Sequence, residues 1–571
     1  MAYKAPVSEI LFVLNNVVDA GRLAQTDLFA EATDDLTGAI LTEGARLADQ
    51  VLEPLNRQGD LHPARLENGV VITSPGFADG YKAIADGGWV GIAADPEFGG
   101  MGLPLTLTSA IGEMMSGSCL ALSLNPLMTQ GQIEALSHHA SDDIKALYLP
   151  KLISGAWCGT MNLTESQAGS DVGALATRAV ANGDGTFAVT GQKIFISWGD
   201  SDMAENICHL VLARLPDGVA GTKGISLFLV PKFLPDENGG PGRRNSLSVV
   251  SLEHKLGLHG SPTAVMDFDG ATGWLIGAAH AGMKAMFTMM NNARLGVAIE
   301  GLGTAEAACQ TAVAYALERK QGRTPTDDTG TIMDHADVRR MLITMKAQTA
   351  AARAICYATA VAGDMAAATD QIGWQSRAAF LTPIAKAFCT QTGIEVANMG
   401  IQVHGGMGVI EETGAAQFSR DVRVTAIYEG TNGIQAMDLV SRKLMDEGKA
   451  AFALLADASE TAAIAEETLP DLAAFLGAAE TAMLATTHWM LGQTDMNARF
   501  AGATPYLQAF GLTLGGHFLL KAANAEGGAG PRTELARFYI RQVLPHHDAL
   551  VSAAREGTRS LYALSAEELA G

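Results

Sequence analysis

The sequence changes its hydrophobic pattern twice, and the order of these patterns restricts the fold more than any other feature. Residues 1–157 follow a helical period, residues 158–278 form short β-rich runs, and long helical stretches resume after residue 279. A dinucleotide-binding fold would instead alternate strand, glycine loop and helix. The glycine string at 301–304 lies inside a helical stretch with no strand before it, which indicates helix packing. The pattern therefore predicts an α+β chain.

The central region is predicted to form an antiparallel sheet or a β-barrel-like domain. Turn-forming clusters such as the one at 182–185 separate its apolar runs. The runs predicted as strands are 186–198, 207–215, 224–232, 246–252 and 263–268.

The region after the sheet is predicted to be helical. A proline-free stretch at 282–320 is followed by stretches at 335–369, 380–402 and 414–445, and their short links are typical of an antiparallel four-helix bundle. The predicted domains are an N-terminal helical domain at 1–157, a middle β domain at 158–278, a four-helix bundle at 279–445 and a helical C-terminal extension at 446–571.

Charge and cysteine spacing exclude several functions. The formal net charge of −22 would repel phosphates, so nucleic-acid binding is not expected. The six cysteines form no CxxC pair, and the adjacent histidines at 138–139 and 546–547 would point in different directions on a helix, so no metal site is expected. The absence of a signal-cleavage pattern and of any apolar run of about 18 residues predicts a cytoplasmic protein without a membrane span.

Three separated segments have the order and spacing of motifs in one enzyme family. They are MNLTESQAGSD at 161–171, GQKIFISWG at 191–199, and a block with QVHGGMG at 402–408, RDVR at 420–423 and IYEGTNGIQ at 427–435. Taken singly, the first would pass for a polar strand connection and the second for a strand with a core Phe. Together they resemble the acyl-CoA dehydrogenase family, whose motifs read TEPxAGSD, GxKxWITN and QxxGGxG…RDxR…IYEGTxxIQ.

The resemblance covers roughly residues 40–445, and the helical extension is similar to that of a longer bacterial branch, which includes 3-(methylthio)propanoyl-CoA dehydrogenases. It implies FAD as cofactor, an acyl-CoA as substrate and Glu429 as the catalytic base. The residues that it assigns to FAD are Met161, Leu163, Thr164, Ser170, Phe195, Ser197, Arg319, Gln402, Gly405, Gly406 and Thr431. Those that it assigns to the substrate are Ser170, Asn291, Arg294 and Gly430.

Some of these positions depart from the family pattern or allow another interpretation. Phe195 replaces the more usual Trp, Ser197 replaces a Thr, and Asn291 stands where an Asp is common. Arg319 matches an arginine that reaches the FAD pyrophosphate across a dimer interface. Arg294 and Arg319 could each instead be helix-surface residues paired with Glu. The resemblance also implies a homodimer or larger homo-oligomer and an electron-transfer flavoprotein as electron acceptor.

The chemistry explains why a carboxylate is needed at position 429. The α-proton of a thioester is a very weak acid, so its base must lie within hydrogen-bond reach and be partly desolvated. The developing enolate oxygen also needs fixed donors, which the resemblance identifies as the backbone N–H of Glu429 and a ribityl hydroxyl of the flavin. The flavin is needed to accept the β-hydride, because no side chain can do so.

Two other functions remain open from the sequence. One is an acyl-CoA oxidase, in which oxygen reoxidises the flavin, and the other is a catalytically silent flavin-binding scaffold, which would have no need for Glu429. The predicted substrate is a short acyl-CoA such as 3-(methylthio)propanoyl-CoA. This prediction depends on the branch resemblance and on Met114, Met115 and Met128, which lie in the region that lines the family's acyl pocket.

Overall fold

The computed structural model describes residues 3–324, 326 and 328–571. The chain forms two compact units. The barrel unit consists of Arg46–Pro104 and Ser118–Gly296, and the helical unit consists of Met1–Ala45, Leu105–Gly117 and Val297–Gly571.

The strands of the described residues all lie in the barrel unit. They are β1 (Arg65–Glu67), β2 (Val70–Ile72), β3 (Trp157–Asn162), β4 (Arg178–Ala181), β5 (Phe187–Ser197), β6 (Asn206–Arg214), β7 (Ile225–Pro231), β8 (Phe233–Pro235), β9 (Pro241–Arg244), β10 (Leu247–Leu252) and β11 (Thr263–Ile276).

The helices divide between the two units, and α5 and α7 each contribute to both. In the described residues they are α1 (Val7–Asn16), α2 (Asp34–Leu47), α3 (Glu53–Leu61), α4 (Phe77–Asp86), α5 (Leu105–His139), α6 (Asp142–Ile153), α7 (Gly282–Glu318), α8 (Ala336–Ala368), α9 (Ile372–His404), α10 (Ala415–Val422), α11 (Asn432–Asp438), α12 (Lys449–Ala465), α13 (Pro470–Gly492), α14 (Met496–Ala525), α15 (Pro531–Phe538), α16 (His546–Glu556) and α17 (Ala566–Ala570).

Five strands of the barrel unit close into a ring. Strand β5 pairs with β4 and with the first part of β11, whereas the end of β11 pairs with β7. Strand β7 continues to β6, and β6 meets β4 through Arg178 and Arg214, which completes the ring. The prediction of an α+β chain with a β-barrel-like middle domain is therefore confirmed. The sheet is mixed and not purely antiparallel, because β3 runs parallel to β6.

The ring surrounds an apolar core that explains the sequence of its inner strands. Strand β7 is buried along its whole length and β6 along all but its last residue, so both are nearly continuous apolar runs. Val189, Val211, Phe228, Val230 and Phe268 belong to one buried cluster. This core includes Val189 and Ile196 of β5, so it fixes the position of the strand that carries the second motif.

A short hairpin lies in the region that was predicted to be helical. Strands β1 and β2 pair as neighbours across Asn68 and Gly69, which have φ angles of 51° and 77°. Asn-Gly with two positive φ angles is the preferred two-residue hairpin turn. The hairpin is therefore a short interruption of the helical pattern predicted for residues 1–157, and the local sequence contained its signal.

The core of the helical unit forms where the long helices α7, α8 and α9 pack together. Leu342, Met345 and Val396 belong to a buried cluster contributed by these helices. At Gly301 a Cβ atom would lie 2.6 Å from the carbonyl oxygen of Cys389, so only glycine allows this approach. The interpretation of the glycine string as helix packing is confirmed.

The fourth helical stretch, predicted at 414–445, is interrupted. Helix α10 ends at Val422 and α11 begins at Asn432. Between them, Glu429 and Gly430 have φ angles of 58° and 85°, in the left-handed region. A right-handed helix cannot continue through such residues, so the prediction of a continuous helix was wrong at this point.

The C-terminal extension adds helices α12 to α17 to the helical unit. Leu472, Leu476, Leu520, Tyr539 and Leu544 are members of its buried apolar cluster. Among the described residues, no helix combines the length and apolar character needed to cross a membrane.

Candidate active site

The break between α10 and α11 holds Glu429 in a conformation that is uncommon for residues other than glycine. Lys386 on α9 donates hydrogen bonds from Nζ to the Gly430 carbonyl at 2.9 Å and to Oδ1 of Asn432 at 3.0 Å. Gln435 donates from Nε2 to the Glu429 carbonyl oxygen at 3.1 Å. Fixed contacts on its C-terminal side therefore hold the catalytic turn, defined here as residues 428–432.

Thr431 and Gly430, both predicted to contact ligands, lie in this turn. The hydroxyl of Thr431 caps α11 by accepting a hydrogen bond from the Ile434 backbone N–H at 3.2 Å. As an acceptor the hydroxyl still keeps its own proton to donate. Gly430 adopts a φ angle of 85°, which suits glycine.

Tyr428, the residue before Glu429, is bound to a carboxyl group that the sequence analysis missed. Its hydroxyl donates a hydrogen bond to Oε2 of Glu300 on α7. Glu300 is only 1% exposed. Burial raises the pKa of Glu300 to about 8; the Tyr428 hydrogen bond opposes this shift and the nearby Glu429 carboxyl adds to it.

In the barrel unit, the loop at 163–171 is anchored by a buried ion pair. Glu165 accepts from Lys193 Nζ at 2.8 Å and from the backbone N–H groups of Ala176 at 2.7 Å and Thr177 at 3.0 Å. Lys193 Nζ also donates to the Leu163 carbonyl at 3.0 Å. Burial alone would raise the pKa of Glu165, but Lys193 and these hydrogen bonds hold it at about 2. The pair joins this loop, which we call the flavin loop, to strand β5.

The predicted ligand residues of this loop are accessible to differing extents. Met161, Leu163 and Thr164 are half-buried, and Ser170 is exposed. The Thr164 carbonyl accepts the backbone N–H of Ile194 at 2.9 Å, which holds the loop against β5.

Phe195 and Ser197 lie at the end of β5 beside this loop. The register of β5 and β11 shifts between Lys193 and Ile196, and Phe195 in this bulge has a φ angle of 60°. A bulge changes the direction in which a side chain points. The Phe195 ring is 59% exposed, whereas Ser197 is half-buried. The side chain of Phe195 is therefore not part of the apolar core.

Asn291 and Arg294 lie on the part of α7 that belongs to the barrel unit. Arg294 is 4% exposed and its NH1 donates to Oδ1 of Asn291 at 3.4 Å. Its burial contradicts the alternative that Arg294 is a helix-surface residue. The neighbouring Asn292 donates from Nδ2 to Oε2 of Glu134 at 2.6 Å, and burial raises the pKa of Glu134.

Arg319, Gln402, Gly405 and Gly406 belong to the helical unit. Tyr315 and His404 stack with ring centroids 4.3 Å apart, which brings the end of α7 to the end of α9. Arg319, Gln402, Gly405 and Gly406 are all exposed there. A Cβ atom on Gly405 or Gly406 would meet nothing within 4 Å, so neither glycine is required by packing within the chain.

The structure thus groups the predicted residues into separate sets. One is the catalytic turn, a second is the exposed cluster at the ends of α7 and α9, a third is the flavin loop with β5, and a fourth is the pair Asn291 and Arg294 on α7. Sequence reasoning missed Glu300 and Lys386. A lone acid in the apolar run GVAIEGLG at 296–303 was the available signal for Glu300.

The predicted pocket methionines are buried on α5. Met114, Met115 and Met128 are 0%, 5% and 4% exposed. A search of the described residues for groups of three or more His, Cys, Asp or Glu side chains able to hold a metal ion finds none.

Comparison with known families matches four successive parts of the chain. The profiles described as acyl-CoA dehydrogenase N-terminal, middle and C-terminal domains match residues 45–156, 160–271 and 280–444. A profile described as acetyl-CoA dehydrogenase C-terminal like matches residues 454–565.

Individual relatives agree with these profiles. A 3-methylmercaptopropionyl-CoA dehydrogenase of Ruegeria pomeroyi is 44% identical, and the match covers 92% of this chain and 92% of the relative. A butyryl-CoA dehydrogenase of Syntrophomonas wolfei is 35% identical, with 77% of this chain and 75% of the relative covered.

Solved structures share the fold. Caenorhabditis elegans ACDH-11 in complex with C11-CoA has a TM-score of 0.81 at 22% identity, covering 95% of this chain and 92% of that chain. An acyl-CoA dehydrogenase from Bacillus anthracis complexed with FAD has a TM-score of 0.75 at 19% identity, covering 93% and 90%.

Proposed function

This chain belongs to the acyl-CoA dehydrogenase family, and we propose that it oxidises short acyl-CoA thioesters, 3-(methylthio)propanoyl-CoA among them, to 2-enoyl-CoA products. Glu429 takes the α-proton of the thioester. The same carboxyl group then holds that proton while the product forms.

The observation that carries this proposal is the backbone conformation of Glu429. Its left-handed φ angle of 58° is unfavourable for a residue with a side chain. Such conformations cluster at active sites, where the surroundings hold them. Here Lys386 and Gln435 bind the carbonyl groups of Gly430 and Glu429. A surface acid without a function would have no need of this support.

The residues around the flavin loop fit FAD, which supplies the acceptor for the β-hydride when it is bound. The exposed Phe195 ring offers a flat apolar surface, and Thr164, Ser170 and Ser197 offer polar groups beside it. Met161 and Leu163 would add apolar contacts. In the helical unit, Arg319 would bind phosphate oxygens, and Gln402, Gly405, Gly406 and Thr431 would contact other parts of the cofactor.

The substrate proposal combines the relative from Ruegeria pomeroyi with the buried methionines of α5. Thioether sulfur is polarizable, so methionine contacts suit a thioether acyl group. An alkyl chain of equal length would fit the same walls nearly as well, because apolar pockets discriminate near-isosteres by only about ten- to two-hundredfold. We therefore expect butanoyl-CoA and pentanoyl-CoA to be substrates too. Arg294, Asn291, Ser170 and Gly430 are the proposed contacts to the thioester and CoA.

Electron-transfer flavoprotein is the proposed electron acceptor. The oxidase and silent-scaffold alternatives are not favoured, because the compared relatives are named dehydrogenases. The homodimeric state, the cytoplasmic location and the four domain boundaries stay predictions.

The test is a comparison of kcat/KM for acyl-CoAs of increasing chain length and for 3-(methylthio)propanoyl-CoA, with an artificial electron acceptor. We expect the short thioesters to be preferred and palmitoyl-CoA to be poor. A maximum at a chain of about twelve carbons or longer would contradict the short-pocket proposal. Each further CH₂ group adds binding free energy only where the pocket is deep enough to bury it. Rapid reoxidation by air would instead favour an oxidase.

A further inference from the structure

Glu300 is a buried carboxyl group that the reaction described above does not use. It lies on α7, and its Oε2 accepts the hydrogen bond from the hydroxyl of Tyr428. Its other oxygen, Oε1, is buried and has no hydrogen-bond partner among the described residues. A carboxylate in such a place would keep a desolvated, incompletely bonded charge, which is costly.

Three charged or titratable groups face Glu300. Tyr428 and Glu429 belong to the catalytic turn, and Lys386 extends from α9. The Glu429 carboxyl disfavours a second negative charge at Glu300. Lys386 favours that charge, but its Nζ is hydrogen-bonded to Gly430 and Asn432. Burial is the largest influence and raises the pKa of Glu300 to about 8, so the group is uncharged at neutral pH.

Tyr428, which makes this hydrogen bond to Glu300, is the direct neighbour of the proposed base in the sequence. Tyr428 precedes Glu429, whereas the Lys386 and Gln435 contacts hold the turn at and after Glu429. The Tyr428 bond to Glu300 is therefore the side-chain contact that secures the N-terminal side of the turn. Small misplacements of a reacting group can cost about a hundredfold in rate.

We propose that Glu300 is a positioning residue: its carboxyl group holds Tyr428 and thereby keeps Glu429 aligned for removal of the α-proton. This inference rests on the proposed role of Glu429 as the base. Ionisation of Glu300 places a second negative charge near the Glu429 carboxylate, and repulsion between the two charges shifts the turn away from this alignment. The rate of substrate oxidation therefore falls as Glu300 ionises.

The experiment measures the single-turnover rate of thioester oxidation in the FAD-loaded enzyme, with butanoyl-CoA as the probe, over a pH range that brackets 8. In the wild type we expect the rate to fall as pH rises through this value. Glu300→Gln keeps a hydrogen-bond acceptor for Tyr428 but cannot ionise, so the alkaline fall should disappear. Tyr428→Phe removes the hydrogen bond and should lower the rate about ten- to hundredfold at neutral pH, with little change in KM.

Glu306→Gln is the matched control. Glu306 lies six residues further along α7 and is partly buried, but it is paired with Arg353 at 2.7 Å. Its substitution should preserve the wild-type pH profile even if it lowers stability. A merely structural role for Glu300 predicts that both glutamine variants keep this profile.

The inference is overturned if Glu300→Gln retains the alkaline fall, or if Tyr428→Phe oxidises substrate at the wild-type rate. The proposed function fails separately if the wild type does not oxidise any acyl-CoA, or if Glu429→Gln keeps a normal rate. An active wild type with an inactive Glu429→Gln variant thus leaves only the role of Glu300 in question.

Discussion

The flavin loop and the catalytic turn each depend on a buried glutamate, but the two glutamates differ in charge. Glu165 within the flavin loop is paired with Lys193 at 2.8 Å, and its pKa is held at about 2. Glu300 beneath the catalytic turn is bonded to the neutral hydroxyl of Tyr428, and its pKa is raised to about 8. The bonded partner decides the charge, because both side chains are removed from water.

The difference separates two ways of supporting a functional segment. The Lys193 ion pair and the backbone hydrogen bonds keep Glu165 ionised down to about pH 2, although burial lowers the pKa of Lys193 itself to about 8. The catalytic turn rests on Glu300, whose carboxyl group loses its proton at about pH 8.

The largest expected effect comes from Lys193→Met, which leaves Glu165 buried without its cation. Breaking a buried ion pair in this way costs about 3–5 kcal/mol in the free energy of unfolding. Because Lys193 also holds the Leu163 carbonyl, FAD retention should fall too. Urea unfolding and flavin absorbance after gel filtration measure the two effects.

Two variants make this result specific. The double variant Glu165→Gln/Lys193→Met removes the orphaned charge and should recover part of the lost stability. Lys232→Met breaks another buried ion pair of the barrel unit, with Asp200, and should cost stability but not FAD. Equal stability of Lys193→Met and the double variant would show that the charge of Glu165 is unimportant.

A smaller effect concerns the pH dependence of stability. The pKa of Glu300 is about 8 in the folded protein and near 4.5 when unfolded, so between these values the folded state holds one more proton. The free energy of unfolding must therefore fall as pH rises, by about 1.4 kcal/mol per pH unit. For Glu165 the pKa in the folded protein lies below the unfolded value. Its contribution to the free energy of unfolding is therefore lost only as pH falls from about 4.5 towards 2.

Denaturant unfolding of the wild type and Glu300→Gln at several pH values from about 5 to 8 tests this prediction. The glutamine variant should gain stability relative to the wild type as pH rises. Parallel curves for the two proteins would mean that Glu300 ionises normally, and the contrast with Glu165 would be lost.

The smallest expected effect is that of Arg319→Ala, which tests whether FAD binding extends beyond the flavin loop. Arg319 is exposed in the single chain, so its loss should cost little stability. If it binds FAD across a dimer, the variant should lose FAD on dilution. Arg340→Ala, at another exposed arginine, is the control. Unchanged flavin content of Arg319→Ala at high dilution would support a helix-surface role.

The sequence predicted the fold class and singled out Glu429 as the candidate base, because the motif block at 402–435 and the helix–strand–helix order are local features. It missed the break in the fourth helix, since only tertiary contacts from Lys386 and Glu300 reveal that Glu429 is held out of helical geometry. Glu300 lies 128 positions from Tyr428, so no local pattern could link them. The β1–β2 hairpin was different, because its Asn68-Gly69 turn was readable from the sequence.

The most direct test of the central claim, that Glu429 is the base of an acyl-CoA dehydrogenase, is a single-turnover experiment without oxygen. The FAD-loaded wild type and Glu429→Gln are mixed with 3-(methylthio)propanoyl-CoA, and bleaching of the flavin absorbance is followed. The wild type should bleach rapidly. Glu429→Gln should retain FAD and bind the thioester, yet bleach at least about a thousandfold more slowly. Bleaching of the variant at nearly the wild-type rate would contradict the claim and identify another group as the base.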